Sequence, residues 1–331
     1  MRNPTRIIEI CDDTEHQRSF LKLSSRERRL DGRVESLGIA KALSNVSSKI
    51  SNNDGGESVE HLLREAADAI GEDDVAELLG EELNRFSSSL LYAVPARTVD
   101  SDIFSGLVLF DDNVLRVSLV AAGPMAHRIK IHRRNSLGKQ VGVTIQGTDS
   151  LVSFIRSGDA KLSLWSAEPF LHNDELCGRR MKRLPDKHIA DGEAIFLEGG
   201  SKGMSIASCS SPILFVIVTR NTPRSPVNAH YELEGELHSC TASEMKSSRI
   251  QILATLVREL KCEDGVDALA QLLSHPDHFV RWQLLREITA LCIDAALPHL
   301  LRAAKTDPHV QVRNAAKLTI EMIGEEYGNA T

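Results

Sequence analysis

The last third of the chain repeats with a period of 32 residues, and this period constrains the fold more than any other feature of the sequence. The pairs Ser248-Arg249, Val280-Arg281 and Val312-Arg313 follow one another at that spacing. Apolar residues recur in the same register, namely Ile252, Leu284 and Ala316, then Leu256, Ile288 and Ile320. A repeat of this length is typical of a helical solenoid, in which each helix pair covers the apolar face of its neighbour. Because such stacks present long surfaces to other molecules, the period indicates binding before it indicates catalysis.

The bulk composition limits the class of protein. A chain of 331 residues is long enough for two or three domains with substantial cores. Hydrophobic residues make up 42% and charged residues 26%, which is typical of a soluble globular protein. The formal net charge is −7 and the aromatic content is 4%, so we expect no nucleic-acid partner bound by charge or by base stacking.

The predicted location is the cytoplasm. The six cysteines are scattered without a CxxC pair, which is typical of reduced thiols rather than of a disulfide framework or a zinc site. No apolar run reaches the roughly 20 residues of a membrane span, and the first residues lack the apolar core of a signal peptide. The sequence therefore predicts neither a membrane partner nor secretion.

Changes in pattern indicate a multidomain α+β protein with four predicted segments: 1–57, 58–95, 96–236 and 242–325. The first segment is polar and predicts a partly disordered region, with a short helix near 34–46 and a Ser/Asn/Gly linker at 44–56. The second predicts a helical hairpin that begins at the N-cap Ser58. Short β-like runs separated by turn residues fill the third, which favours a barrel or sandwich. The fourth holds the helical repeats.

The repeat segment resembles HEAT repeats of the short variety found in lyase-like HEAT proteins. The stretches HPDHFVRWQLLREITAL and TDPHVQVRNAAKLTIEMI carry the Pro, Val-Arg and small or apolar positions of that family. The likeness covers about residues 242–324 and implies a protein-docking surface. Only two units are complete, so we expect the stack to lean on the β domain for its missing cap.

The β segment resembles the second half of a cupin over residues 187–218. In that family a Gly opens a strand, a turn Gly follows, and a metal-binding His comes shortly after. Here Gly192 opens the strand and Gly200 stands at the turn, but the His position falls on Gly203, or on Met204 after a one-residue insertion. The resemblance therefore implies a degenerate, cupin-like β-barrel or sandwich that lacks the usual metal ligands.

The first cupin motif departs from the family as well. That family places two His one residue apart, so that both point into the barrel. Here His127 and His132 are separated by an odd number of positions, so on a regular strand their side chains face opposite sides. We therefore expect no cofactor. The alternative is a metal-dependent cupin enzyme of the dioxygenase or isomerase type, with iron, manganese or zinc held at non-standard positions by His127, His132 and His188.

Basic residues cluster twice in this acidic chain. The candidate anion-binding residues are Arg128, Lys130, His132, Arg133, Arg134, Arg180, Lys182 and Arg183. If both clusters lie at one mouth of a barrel, they form a cationic site for a small anionic ligand. The alternative is a solvated face that pairs with nearby acids such as Asp186.

Three repeat residues are candidates for partner binding: Arg281, Trp282 and Arg313. An aromatic side chain on a repeat surface is a common anchor for a protein partner. In HEAT-like units, however, the recurring Arg commonly bonds neighbouring repeats. The sequence as a whole predicts a non-catalytic binding or regulatory protein, in which a barrel senses a ligand or serves as a scaffold and the repeats dock a protein. A homo-oligomer and the identity of ligand and partner stay open.

Overall fold

The computed structural model describes residues 38–52, 56–88, 97–100, 104–125, 142–171 and 178–328. Helices α1 to α3 come first: Ile39–Ser51, Val59–Asp68 and Glu72–Ser88. Strands β1 to β13 follow: Thr98–Asp100, Phe104–Asp111, Leu115–Ala122, Val143–Ile145, Thr148–Arg156, Lys161–Ser166, Lys182–Arg183, Lys187–His188, Ala194–Leu197, Lys202–Ser208, Ile213–Pro223, Val227–Tyr231 and Leu237–Ala242. Helices α4 to α8 end the chain: Met245–Glu259, Val266–Gln271, His278–Leu291, Ile293–Thr306 and Val310–Gly328. None of the described helices is long and apolar enough to cross a membrane.

The described strands pair in the antiparallel sense and form three sheets. Their orders are β1-β2-β3-β11-β5-β9, then β10-β6-β7 with β8 also on β6, and β13-β12-β4. The predicted α+β class is confirmed, but these strands form open sheets rather than one closed barrel. The chain changes sheet at the turn around Gly200, because β9 before this turn pairs with β5, whereas β10 after it pairs with β6. Strand pairing is therefore not continuous around the β domain.

The six-stranded sheet separates two apolar cores because its side chains alternate between its faces. Val117 and Leu119 on β3 pack with the helices α1 to α3. Val120, on the opposite face, packs with Leu162 of β6 and with residues of β10. The domain therefore has a helical layer, a large sheet and a layer of smaller sheets.

The predicted helical hairpin corresponds to α2 and α3, which pack on the sheet rather than on each other alone. The Ser58 hydroxyl accepts a hydrogen bond from the backbone N–H of His61 at 3.1 Å, as expected of an N-cap. Leu62 and Leu63 are buried in the core that α2 shares with the sheet. The amphipathic stripe of the hairpin is thus covered by the β domain.

Helix α1 differs from the prediction, since it covers most of the stretch that the composition assigned to a linker. It begins after Gly38 and runs to Ser51. Leu43, Val46 and Ile50 lie at helical spacing and are buried against the hairpin and the sheet. Burial of this stripe outweighs the weak helix propensity of the Ser and Asn residues around it.

Helices α4, α6 and α8 carry the recurring Arg positions, and α5 and α7 lie between them. The shared core includes Leu269, Leu284, Ile288, Leu300 and Ala316. Strand β13 ends at Ala242 and α4 begins at Met245, so α4 has no preceding helix of the α5 or α7 type. In the described chain, the first repeat unit therefore consists of one helix instead of two.

The solenoid packs against the β domain, as expected for such a short stack of repeats. Phe279 on α6 packs against the solenoid core and also against the core around Trp165 and Tyr231. The hydroxyl of Ser243 donates to the carbonyl of Ser225 at 2.5 Å and fixes the turn between β13 and α4. The start of α4 is thus tied to the loop between β11 and β12.

Candidate functional site

A cleft of about 880 Å³ opens between the large sheet and the first turn of α4. We call it the interdomain cleft, because strands β1 to β3, β5 and β9 to β12 line one side and α4 lines the other. The sheet face that it uses is the one opposite to helices α1 to α3. A volume of this size is typical of a small-molecule site.

Hydroxyl groups form the floor of the interdomain cleft. Ser118 on β3, Thr148 and Ser150 on β5, and Thr219 on β11 all line it. Thr148 and Ser150 share a face because they are two residues apart on one strand. The hydroxyls of Ser150 and Thr219 lie 3.1 Å apart across the ladder and hydrogen-bond to each other. This hydroxyl floor offers donors and acceptors beside the apolar side chains of Val152, Leu197 and Ile217.

A charged cluster forms the rim of the cleft beside β1 and β2. Asp111 Oδ2 lies 2.6 Å from Arg97 Nη2 and 3.2 Å from Arg116 Nη2. Asp111 Oδ1 accepts a hydrogen bond from Asn221 Nδ2 at 3.2 Å. Both oxygens of this carboxylate are therefore engaged, and Asp111 holds the two guanidinium groups in place rather than standing ready as a base.

The opposite wall is the first turn of α4. Met245, Lys246 and Arg249 line the cleft from this helix, and all three are exposed. Lys246 and Arg249 are three residues apart and so lie on the same helix face. Arg249 is one of the recurring Arg residues that the repeat pattern associates with contacts between repeats, whereas its position in the structure is at the cleft.

The other two recurring Arg residues link turns and repeats. Arg281 is 6% exposed and makes a bidentate ion pair with Asp307, while its Nη1 donates to the carbonyls of His275 and Pro276. Arg313 is half-buried and donates to the carbonyls of Asp307 and Pro308. Arg281 therefore offers no accessible surface to a partner, because burial between repeats uses its whole guanidinium group.

Trp282 lies in a different environment from its neighbour Arg281. It is half-buried and lines a groove of about 490 Å³ together with Arg258 of α4, Arg286 of α6 and Thr319 of α8. We call this the Trp282 groove. It crosses all three helices that carry the recurring Arg positions, so it runs along the solenoid rather than within one repeat.

A further cavity of about 720 Å³ lies on the side of the solenoid formed by α5 and α7. Its lining includes Leu273, Pro276 and Leu285 together with the Arg281–Asp307 pair. The charges of that pair satisfy each other, and the other polar lining residues include Gln271, His299 and Arg302 rather than a row of hydroxyls on one sheet face. The interdomain cleft is the better candidate for a polar molecule.

The predicted basic patch is only partly described. The members Arg128, Lys130, His132, Arg133 and Arg134 lie outside the described residues, as does His127. Arg180 pairs with Glu236 at 3.1 Å, and Arg183 binds Asp186 at 2.9 Å and stacks over Trp165. Lys182 is exposed on β7. These three residues do not line the interdomain cleft.

The ion pair between Arg183 and Asp186 changes the pKa of the carboxyl group. Its hydrogen bond, with further hydrogen bonds from Lys161 and Ser163, lowers the pKa of Asp186 to about 2. Asp186 was one of the acids expected to neutralise a solvated basic face. The contacts of Arg183 therefore match the alternative of a solvated basic face that pairs with nearby acids.

The cleft residues do not fit the metal that the cupin resemblance implies. The described lining contains Asp111, Asp112 and Glu244 but neither His nor Cys, and two arginines already neutralise Asp111. His188 is exposed on β8 and lies outside this lining, whereas His127 and His132 are not among the described residues.

Met204, one of the two positions where the family pattern expects a metal-binding His, does line the cleft. Its thioether suits soft metals rather than the expected divalent ions. Among described residues, the one group of three metal-type ligands within 4.8 Å is Glu57, His61 and Glu65 on the exposed surface of α2 and the loop before it.

The main cleft residues were not singled out from the sequence. Ser118 lies between the apolar Val117 and Leu119, and Thr148 and Ser150 stand at alternate positions of the next long strand, and this placement is a usable signal. Lys246 stands in the first turn of α4, which has no acidic residue, and Arg249 follows in the next turn. Because cations are unfavourable at a helix N-terminus, that placement is a second signal.

Comparison with known proteins identifies the C-terminal part. The family described as HEAT repeats matches residues 236–321, which confirms the predicted repeats. No curated protein matches the chain.

Several solved structures are similar to the β part. The DMSP lyase DddQ from Ruegeria pomeroyi is 10% identical over 38% of this chain and 56% of the lyase, with a TM-score of 0.24. A cupin domain from Bordetella pertussis is 14% identical over 38% of this chain and 99% of that domain, with a TM-score of 0.21. An RmlC-like cupin from Shewanella frigidimarina is 7% identical over 40% of this chain and 88% of that cupin, with a TM-score of 0.23.

Two of these three structures are of cupins, the family that the β segment resembles. The match spans little more than half of the lyase's length. TM-scores of 0.21 to 0.24 carry no conclusion about ligand or activity. Any assignment of function has to come from this chain's own residues.

Proposed function

We propose that this chain is a binding protein without catalytic activity, whose β domain holds a small polar molecule in the interdomain cleft and whose repeats dock a protein. The observation that carries the proposal is the hydroxyl floor of a cleft of about 880 Å³. Ser150 and Thr219 hydrogen-bond to each other, and a hydroxyl oxygen that takes part in one hydrogen bond can still accept another. Both side chains can therefore hydrogen-bond a polar molecule in the cleft without breaking their own contact.

The chemistry of the described lining favours binding over catalysis. A hydroxyl becomes a nucleophile only beside a base that takes its proton. Ser150 and Thr219 hydrogen-bond to each other, and the rim carboxylate Asp111 is neutralised by Arg97 and Arg116. The described groups therefore match recognition of a ligand's own hydroxyl and carbonyl groups.

The ligand proposal is tested by thermal-shift and calorimetric titration with a panel of monosaccharides, polyols and small hydroxy acids. We expect at least one panel member to bind and to lose affinity in Ser150→Ala and Thr219→Val. Thr306→Val, on the far side of the solenoid, is the matched control and keeps wild-type affinity. The absence of binding by every panel member, or binding that neither cleft variant weakens, would refute the proposal.

The protein-docking part rests on the Trp282 groove. Half-buried Trp282 stands in a groove that spans three helices, which is the arrangement of an interface anchor in a pocket. Arg286 beside it is exposed. Among the predicted partner residues, we therefore propose Trp282 as the anchor and Arg313, at the start of α8, as a supporting residue. Arg281 has no role in docking.

Site-specific photocrosslinking in cells tests the docking surface. A photoreactive residue placed at Arg286 should give a discrete adduct, whereas one at Arg302, on the side of α5 and α7, should not. Trp282→Ala combined with the probe at Arg286 should abolish the adduct. Equal labelling from positions 286 and 302, or an adduct that survives Trp282→Ala, would contradict docking at this groove.

A further inference from the structure

Four polar side chains of the interdomain cleft form one row that runs across the large sheet. Asp111 on β2 stands directly opposite Arg116 on β3, and Arg116 stands opposite Thr219 on β11. Thr219 is in turn opposite Ser150 on β5. Directly opposite residues of antiparallel strands point to the same face, with their Cβ atoms about 4.5–5.5 Å apart. In this polar row, the charged rim and the hydroxyl floor are therefore direct neighbours.

A second row beside the polar row is mostly apolar. It is displaced by two residues along each strand, so its side chains point to the same face. Ser118 stands opposite Ile217, and Ile217 stands opposite Val152. All three residues line the cleft, together with Met204 on β10. A molecule lying on this face therefore meets polar groups along one edge and aliphatic side chains along the other.

The charged end of the polar row has one more positive charge than its carboxylate balances. Arg97 and Arg116 both donate to Asp111 Oδ2, at 2.6 Å and 3.2 Å. The other two cations of the described lining, on α4, are matched in number by the carboxylates of Glu244 and Asp112. Two guanidinium groups that share one carboxylate leave a net charge of one positive unit at the rim.

Both guanidinium groups also keep donors for a ligand. A guanidinium has five N–H groups, and each of these two binds Asp111 through Nη2 alone. Within the ranges that the structure describes, neither Nη1 makes a hydrogen bond. Asn221 Nδ2 donates to Asp111 Oδ1 at 3.2 Å and to the carbonyl of Asp112 at 2.6 Å, so the shared carboxylate is held from its other side. Asp111 thus keeps the two guanidinium groups beside each other at the cleft.

We propose that Arg97 and Arg116 bind the carboxylate of the ligand of the interdomain cleft, and that this ligand is a small hydroxy monocarboxylate with an aliphatic chain. This inference rests on the proposed function, because it names the class of ligand for the same cleft. The hydroxyl group of the ligand hydrogen-bonds Thr219 and Ser150, which are next along the polar row. Its aliphatic chain packs on the second row.

This arrangement disfavours other classes of polar molecule. A neutral sugar or polyol leaves the positive charge at the rim uncompensated, and part of its hydroxyl groups faces Ile217 and Val152 without hydrogen-bond partners. A phosphate monoester carries a charge of about −1.5 to −2 at pH 7, which exceeds the single surplus charge. A monocarboxylate supplies one negative charge and the planar pair of oxygens that suits guanidinium groups.

Calorimetric titration with 3-hydroxyhexanoate and three related compounds tests each part of the ligand. We expect wild-type protein to bind 3-hydroxyhexanoate about 10-fold to 100-fold more tightly than its neutral amide, because the amide cannot form charge-assisted hydrogen bonds with the rim. Hexanoate, which lacks the hydroxyl group, should bind about 2-fold to 10-fold more weakly, as expected for one neutral hydrogen bond. 3-Hydroxybutyrate, which is two CH₂ groups shorter, should bind about 10-fold more weakly.

Substitutions locate the carboxylate and the hydroxyl group of the ligand. Arg97→Gln and Arg116→Gln should each remove most of the preference for 3-hydroxyhexanoate over its amide, while Arg116→Lys restores part of it. Thr219→Val should remove the preference over hexanoate and leave the preference over the amide. Arg249→Gln is the matched control, because it removes a cation of the same cleft that does not belong to the rim, and it should keep both preferences.

The outcomes separate this inference from the proposed function. Equal binding of 3-hydroxyhexanoate and its amide, or a preference that survives in both Gln variants of the rim, overturns the inference but leaves the proposed function standing if Ser150→Ala weakens binding. A loss of preference in Arg249→Gln as large as in Arg116→Gln overturns the inference as well, since the carboxylate then lies at α4.

The panel of the proposed function supplies the remaining comparison. Binding of other panel members with no binding of 3-hydroxyhexanoate overturns the inference alone. If neither the panel members nor 3-hydroxyhexanoate bind, the proposed function fails. Circular dichroism of each variant shows whether a loss of affinity comes from unfolding.

Discussion

Arg281 and Asp307, which are 26 positions apart, form a bidentate ion pair that is almost entirely shielded from water. Arg281 Nη2 lies 2.7 Å from Asp307 Oδ1, and Nε lies 2.9 Å from Oδ2. Each side chain is 7% exposed. The pair joins the start of α6 to the turn before α8, so it connects successive repeat units. Its planar geometry explains why Arg stands here, since a Lys ammonium cannot make both bonds.

We expect Arg281→Ala to lower the free energy of unfolding by about 3–5 kcal/mol, because the Asp307 carboxylate is left buried without its partner. Arg313→Ala should cost only about 1–2 kcal/mol, since Arg313 is half-buried and bonds two carbonyls but no carboxylate. Urea denaturation monitored by circular dichroism gives both values. Similar losses in the two variants would show that the ion pair does not dominate this junction.

The same pair predicts a pH dependence of stability. Burial raises the pKa of Asp307, but hydrogen bonds from Arg281 and from the backbone N–H of His309, with the charge of Arg281, outweigh that effect and lower it. A folded-state pKa below the unfolded value of about 3.9 adds stability that is complete above that value. This stability is lost as the pH falls through the folded pKa.

Asp307→Asn isolates this contribution from those of other carboxylates. The difference in unfolding free energy between wild type and Asp307→Asn should be constant near neutral pH and shrink below about pH 4. Chemical denaturation at several pH values between about 2 and 7 measures it. A difference that stays constant across the range, or that grows in acid, would mean that the pKa of Asp307 is not lowered in the folded state.

The periodic parts of the fold follow from the sequence. The 32-residue register placed Arg249, Arg281 and Arg313 on equivalent helices, and Ser58 marked the start of α2, because both depend on local spacing. Helix α1 was missed in part because its Ser and Asn residues suggest a linker. Its burial depends on the sheet, whose first strand begins only at Thr98.

The cleft was harder to predict, because it combines residues from Arg97 to Arg249 that only the tertiary fold brings together. The sequence pointed to dense runs of charge at Arg128–Arg134 and Arg179–Arg183. Arg183 instead satisfies Asp186 locally. The site signals that would have helped are weaker: Thr148 and Ser150 at alternate positions of β5, and a cation, Lys246, in the first turn of α4.

A glycine substitution tests the turn that carries the chain from one sheet to the other. Gly200 has a φ of 78°, and an added Cβ would lie 2.7 Å from Ser225 Cβ. Gly192 has a φ of 77° but has open space around its Cβ position. Both Ala variants strain the backbone by about 1–2 kcal/mol, and Gly200→Ala adds steric repulsion.

Thermal and urea unfolding of the two Ala variants separate these effects. Gly200→Ala should be destabilised by at least about 1 kcal/mol more than Gly192→Ala. If the two losses are equal, crowding against Ser225 is relieved by a small shift, and only the backbone conformation constrains this turn.

The open end of the solenoid gives the last prediction, because the repeat register supplies matched positions. Leu256 on α4 is 48% exposed, whereas Ile288, its equivalent 32 residues later on α6, is fully buried. The difference arises because α5 precedes α6 and shares its core, while strand β13 takes the place of such a helix before α4. Ile288→Ala should therefore cost about 2–5 kcal/mol, and Leu256→Ala less than about 1 kcal/mol. Urea denaturation at two protein concentrations measures both. A large loss in Leu256→Ala at either concentration would show that another segment or a second copy of the chain covers α4 in solution.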